Sequence, residues 1–131
     1  MNRDKFLSEI IGVPWSDRAC SFDKTDCWGL VVLYYRHVKG IELHHVDGYE
    51  SGADFVTCHE DVSTHWVSVD HPVNDSMVTF YHGDKPVHVG VLISPGKVLH
   101  SRGDNGTVRI DSLLAMMRIY SSVGYMIYAE V

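Results

Sequence analysis

Apolar residues at Phe6, Leu7, Ile10 and Ile11 recur at helical spacing, so residues 3 to 11 read as a short helix with one buried stripe. Gly12 and Pro14 end it. A polar, irregular loop over 16 to 24 then leads to Thr25 and Asp26, either a good N-cap. Behind them runs a block that is apolar on nearly every side: Trp28, Leu30, Val31, Val32, Leu33, Tyr34, Tyr35 and Val38. A helix apolar around most of its circumference belongs inside a fold. It should reach Lys39, with Gly40 as its stop and Arg36 and Lys39 suiting the negative end of its dipole.

Residues 41 to 76 lack a clear period. Ala53 to Trp66 reads as a partly periodic helix, and His65 to Asp70 as the start of an edge strand. After that the pattern changes to period two. Ser76 to Tyr81, Val87 to Ile93 and Lys97 to Ser101 read as successive antiparallel strands, joined by His82-Gly83-Asp84 and Ser94-Pro95-Gly96. Thr107 to Ile110 is a fourth strand after Gly103-Asp104-Asn105-Gly106, Asp111 or Ser112 caps a short helix to Met117, and Gly124 to Ala129 is a last strand. One buried helix with an antiparallel sheet is an α+β arrangement, and 131 residues without repeats or linkers make one domain, 1–131.

Composition narrows the function. An apolar content of 45% argues against disorder, and a formal net charge of -6 without Lys/Arg clusters argues against a nucleic-acid partner. No apolar run reaches the roughly 20 residues that cross a bilayer, so membrane insertion is not expected. The N-terminus shows no signal-peptide core. The expectation is synthesis in the cytoplasm, with exit only as part of a larger assembly. Cys20, Cys27 and Cys58 are odd in number and irregularly spaced, unlike a disulfide framework. His44, His45, His59, His65, His71 and His82 form no tight zinc signature, so neither a metal nor another cofactor is expected.

The chemistry lies in Cys27, His88 and His100. A thiol on the first turn of a helix meets unpaired N–H groups and the positive dipole end, which favour thiolate, and a nearby imidazolium lowers its pKa further. In this reading Cys27 is the nucleophile, His88 the general base and His100 the group that orients His88, with the Cys27 N–H as an oxyanion donor. Asp26 is a helix cap alone or a cap that also tunes the site, and Trp15 and Trp28 line a cleft or pack in the core. The bland alternative is an inert buried thiol with two structural histidines.

Geometry adds one requirement. A two-residue Pro95-Gly96 loop pairs Val91 with His100 and turns His88 to the opposite face, because strand side chains alternate. A shared face needs one extra residue, for example a longer tip that sets Leu92 opposite His100, or a bulge nearby.

Asp26-Cys27-Trp28-Gly29-Leu30, His88-Val89-Gly90-Val91 and Val98-Leu99-His100-Ser101 together resemble the NlpC/P60 cysteine peptidases. Gly12-Val13-Pro14-Trp15 is similar to that family's Gly-x-Pro-Tyr lead-in, with Trp15 in the place of Tyr. The resemblance runs from Gly12 to about Leu113, and the DCWG form looks like the phage tail-assembly branch. It implies a papain-like α+β fold with the N-terminal catalytic helix packed on a central antiparallel sheet. Cys27, His88 and His100 would be the catalytic residues. The implied substrate is peptidoglycan stem peptide, often cut between a γ-linked D-glutamate and a diamino acid, with phage tail proteins as assembly partners.

Two departures accompany it. Ser76-Met77-Val78-Thr79-Phe80 stands where relatives carry Gly-Asp before apolar residues, and the region around His44-His45 lacks a Leu-Pro-Arg-like segment. The rival functions are an amidase or acyltransferase with the same Cys-His core, and a non-catalytic tail or wall-binding module.

Overall fold

The computed structural model describes residues 1–43, 65–103 and 105–129. Helix α1 (Arg3–Ile10) is capped by the Asn2 side chain and buries Phe6 and Ile10. Helix α2 (Cys27–Tyr34) buries all eight of its residues, as its apolar circumference requires. Its N-cap is Asp26, which accepts from the Gly29 N–H. Past Tyr34 the helix widens into a π turn (Tyr35–Lys39), and Gly40 stops it in the left-handed conformation at φ 69°.

Among the described residues six strands form one sheet: β1 (Trp66–Val69), β2 (Met77–His82), β3 (Lys85–Ser94), β4 (Lys97–Ser101), β5 (Val108–Ser112) and β6 (Ser122–Tyr128). Helix α3 (Leu113–Met117), capped by Ser112, lies between β5 and β6. The strand order is β1-β6-β2-β3-β4-β5, and every neighbouring pair is antiparallel. Helices and an antiparallel sheet make the protein α+β.

Among the described residues two apolar clusters form the core. In one, Leu30, Val31 and Tyr34 of α2 gather with Phe6, Val89, Val91, Leu99 and Val108. In the other, Leu113 and Met116 of α3 gather with Val78, Phe80, Leu92 and Val98. Helix α2 packs against β3 and β4.

Several boundaries differ from the sequence reading. Strand β3 begins two residues early at Lys85, and β5 runs on to Ser112, past the expected end at Ile110. Ladder bonds to Tyr81, His82 and Lys97 hold these extensions, a non-local cause that alternation along the chain does not reveal. Trp66, expected as a helix end, opens β1 because it pairs with Tyr128. The rest of the helix expected from Ala53 falls outside the described residues up to position 64, as do His44, His45, Cys58 and His59. No helix among the described residues is long and apolar enough to cross a membrane.

Candidate active site

The lead-in segment sets the start of α2. Gly12 N–H donates to Val108 O, Val108 N–H to Val13 O and Trp15 N–H to Gly106 O, so 12–15 lies alongside the start of β5. Pro14 O then accepts from Thr25 N–H, and the Ser101 hydroxyl at the end of β4 donates to Thr25 O at 2.8 Å. Asp26 completes the joint. One carboxylate oxygen accepts from Gly29 N–H and the other from Arg18 N–H, each at 2.8 Å. Cys27 is thereby held on the first turn of α2, at the ends of β4 and β5.

The hairpin meets the requirement for a shared face through a bulge. The turn pairs Ser94 with Lys97, as a two-residue loop should, with Gly96 in the left-handed region at φ 75°. The next pair is Leu92 with Val98, which leaves Ile93 as an extra residue on β3. The shift sets Gly90, not Leu92, across from His100. Gly90 fits there because it lacks a Cβ, which would lie 3.1 Å from the His100 Cβ and 2.8 Å from Leu99 O. His88, two residues along, shares the face of His100.

The two imidazoles touch: His88 Nε2 lies 2.9 Å from His100 Nδ1. His100 Nε2 lies 2.7 Å from an oxygen of Asp111, whose carboxylate is also held by Arg109. Phe80 and Tyr120 flank the His88 ring, Tyr120 stacked at 6.0 Å between centroids. This is the face of the α3-side cluster, whereas Val89 and Leu99 face α2.

The described pairing of β3 with β4 runs as far as Val91 and Leu99. Leu92 N–H and C=O both bond on the β2 side, to Ser76 and Asp75. Main-chain direction alternates, so Val89 N–H points to the β4 side. The Val89 N–H also pulls the Cys27 thiol pKa down, which ties the start of α2 electrostatically to the residue that follows His88.

The electrostatics run against the expected thiolate. Burial, followed by the Asp26 carboxylate, pushes the Cys27 thiol up to about 12, although the N–H groups of Val89, Trp28 and Cys27 pull the other way. Burial, then His100 and Arg102, pushes His88 down to about 3. The sequence reading counted the helix dipole and an imidazolium. It could not count desolvation, which here outweighs the dipole and leaves no imidazolium. Cys27 is 8% exposed, His88 6% and His100 1%. These shifts favour a neutral thiol at Cys27 and a neutral imidazole at His88.

Of the other expected site residues, Asp26 is the cap already described. Trp15 is half-buried with its ring over Gly103. Trp28 lies in the α2-side core, not in an open cleft, because α2 is buried all round. The sequence reading gave no site role to Asp111 or Tyr120. A β5 strand extended by one residue would have shown Asp111 on the face of His100. Among the described residues no group of three or more His, Cys, Asp or Glu side chains is arranged to hold a metal ion.

The model of the NlpC/P60 family matches residues 12–125. No curated protein sequence matches the chain. Among solved structures, the NlpC/p60 domain of the peptidoglycan hydrolase SagA aligns with TM-score 0.61 and 16% identity, covering 95% of this chain and 98% of that one. NlpC2 from Trichomonas vaginalis aligns with TM-score 0.69 and 16% identity, covering 95% of this chain. An NlpC/P60 family protein from Bacillus cereus aligns with TM-score 0.66 and 24% identity, covering 92%. The chain spans 45% and 37% of those last two. At these identities the likeness establishes a shared fold.

Proposed function

The chain belongs to the NlpC/P60 family, and from that premise we propose a thiol hydrolase domain of papain-like architecture that cleaves peptide bonds in bacterial peptidoglycan stem peptides. Cys27 is the nucleophile, His88 the general base and acid, and His100 the group that orients His88. The observation that carries this reading is the His88–His100 contact of 2.9 Å partway along β3, next to Val89, whose N–H acts on the Cys27 thiol.

The chemistry starts from the neutral pair. As the sulfur attacks the scissile carbonyl carbon, its proton passes to the free nitrogen of His88, Nδ1, and the C–S bond forms. The Cys27 N–H, on the first turn of α2, faces the oxyanion. His88 then returns the proton to the departing amine as the C–N bond breaks. Water, deprotonated by His88, then attacks the thioester carbon, the C–S bond breaks, and His88 returns the proton to the departing sulfur.

The origin we favour is a phage or prophage tail, where the domain would act at the cell wall among tail proteins. Its support is the DCWG form of the motif at 26–29. One observation favours a second reading, a non-catalytic tail or wall-binding module: the thiol is 8% exposed.

Mass spectrometry of muropeptides after incubation with purified peptidoglycan separates the readings, with Cys27→Ala as control. Fragments cut at a stem-peptide bond by the wild type alone support the hydrolase. Products of side-chain deamidation or acyl transfer point to the other uses of a Cys-His core. No product, together with no selective labelling of Cys27 by a thiol probe, leaves the binding module.

A further inference from the structure

We propose that Asp111, clamped by Arg109, is a positioning residue that sets the direction of the hydrogen-bond chain through His100 to His88 and so keeps the His88 lone pair on Nδ1. The catalytic consequence rests on the hydrolase reading above, whereas the order of the hydrogen bonds does not.

The placement follows from strand register. β4 and β5 pair His100 with Arg109 and Val98 with Asp111, so Arg109, Asp111 and His100 project from one face. Asp111 sits diagonally from His100, within reach across the ladder. Arg109 grips the carboxylate with two nitrogens, at 2.9 Å to one oxygen and 2.8 Å to the other. The oxygen bonded to Arg109 Nε is also the one 2.7 Å from His100 Nε2.

Counting donors then fixes every proton. Burial pushes the Asp111 carboxyl up, but the His100 hydrogen bond, the charge beside it and Arg109 more than offset this, holding it below the usual carboxylate value. An ionised carboxylate only accepts, so His100 Nε2 carries the hydrogen. Burial holds His100 below its ordinary pKa despite Asp111, so the ring is neutral near pH 7 and its Nδ1 has a lone pair. The 2.9 Å contact therefore requires a hydrogen on His88 Nε2. Neutral His88 is left with its lone pair on Nδ1, the only ring atom free to take a proton from Cys27. Besides the anionic Asp111, the charged groups acting on this chain are Arg109 on β5 and Arg102 after β4, both cationic, and Tyr120 before β6 stacks on the His88 ring.

Asp111→Ala should reverse the chain. It removes the acceptor that holds the hydrogen on His100 Nε2 and leaves Arg109, which only donates, as the charged group beside that nitrogen. His100 then accepts at Nε2, carries its hydrogen on Nδ1 and donates to His88 Nε2. The hydrogen of His88 moves to Nδ1, the wrong atom for a base. In a serine triad loss of the orienting carboxylate costs about 10⁴ in kcat, and Asp111 stands one imidazole further out and 28% exposed, so a loss of about 100-fold is expected.

The test is nitrogen-15 NMR of the full chain with labelled histidines, alongside muropeptide kinetics. Wild type should show Nε2–H on both rings. Asp111→Ala should show Nδ1–H on both, with kcat about 100-fold down and KM little changed. Arg109→Gln, which keeps the carboxylate, should retain the wild-type tautomers. A folded Asp111→Ala protein with Nε2–H on His88, or an inverted tautomer in Arg109→Gln, overturns the proposal. So does an unchanged kcat in Asp111→Ala when Cys27→Ala is inactive. If the wild type cleaves no peptidoglycan, the hydrolase reading falls, and the tautomers alone decide this inference.

Discussion

Gly29→Ala should destabilise the protein, although helix propensity alone predicts the reverse. Within an exposed helix the change gains about 1 kcal/mol. Here the new Cβ would lie 2.2 Å from Ala19 O, 2.5 Å from the Thr25 hydroxyl and 3.0 Å from the Cys20 Cα. Two of these obstacles are main chain, so no side-chain rotation relieves them. Ala19 O accepts from Asp26 N–H at 3.0 Å and from the Thr25 hydroxyl at 3.2 Å, which ties the obstacle to the helix cap. Relief must push the 19–25 loop off α2 and strain those bonds.

Overpacking costs about 1–3 kcal/mol and each net hydrogen bond lost about 1 kcal/mol, so after the helix gain the balance is about 2–3 kcal/mol. For a domain of this size that is a fall in Tm of roughly 10 °C. Far-UV circular dichroism melts read it directly. The matched control is Gly124→Ala in β6, where a Cβ would lie 3.5 Å from the Tyr81 ring, an ordinary contact, and Tm should barely move. Gly29→Ala melting at or above wild type would refute the steric argument.

Three further outcomes follow from the same geometry. Because the folded pKa of His88 is depressed to about 3 from 6.5, the unfolded chain binds the extra proton first, and stability falls as pH drops from about 6.5 towards 3. Urea titrations of His88→Gln across that window should show a shallower acid limb, and an unchanged slope would remove His88 as its source. Ser101→Ala strips the buried Thr25 carbonyl of its 2.8 Å donor and should cost about 1–2 kcal/mol in the same assay; a loss within error would mean the bond carries no net stability. At pH 8, iodoacetamide should modify Cys27 at least about tenfold more slowly in the folded protein than in urea, since a thiol raised to about 12 supplies little thiolate. Equal rates would show that the sulfur is neither sealed nor neutral.

The parts of the site legible along the chain are those set by local rules. Asp26 followed by an unbroken apolar run marks a helix start, and the start is there. The parity of His88 and His100 about the Pro95–Gly96 turn demanded an extra residue, and Ile93 supplies it. The direction of the shift was not legible, since it depends on Gly90 letting His100 approach, a contact between strands. Asp111 was hidden for a related reason: its role appears only when β5 is registered on β4, and a cap before an apolar helix looks much the same as a strand end. The Cys27 environment was the least legible. A helix start suggests a lowered pKa, and only the burial of Cys27 in the folded chain shows that desolvation wins.

That reversal bears on how such a site can work at all. A preformed thiolate–imidazolium pair, nine-tenths buried, would have to recover a desolvation penalty of several kcal/mol per ion. Asp26, which the helix needs as its cap, would repel the thiolate. Arg102 and His100 both disfavour positive charge on His88. The fold therefore stabilises the uncharged pair, and charge separation is least costly when the sulfur's negative charge passes at once to a substrate carbonyl facing the first turn of α2. In the proposed hydrolase Asp26 would then be neither a bystander nor an activator of the resting thiol: it fixes the start of α2 and, second to burial, holds the sulfur protonated.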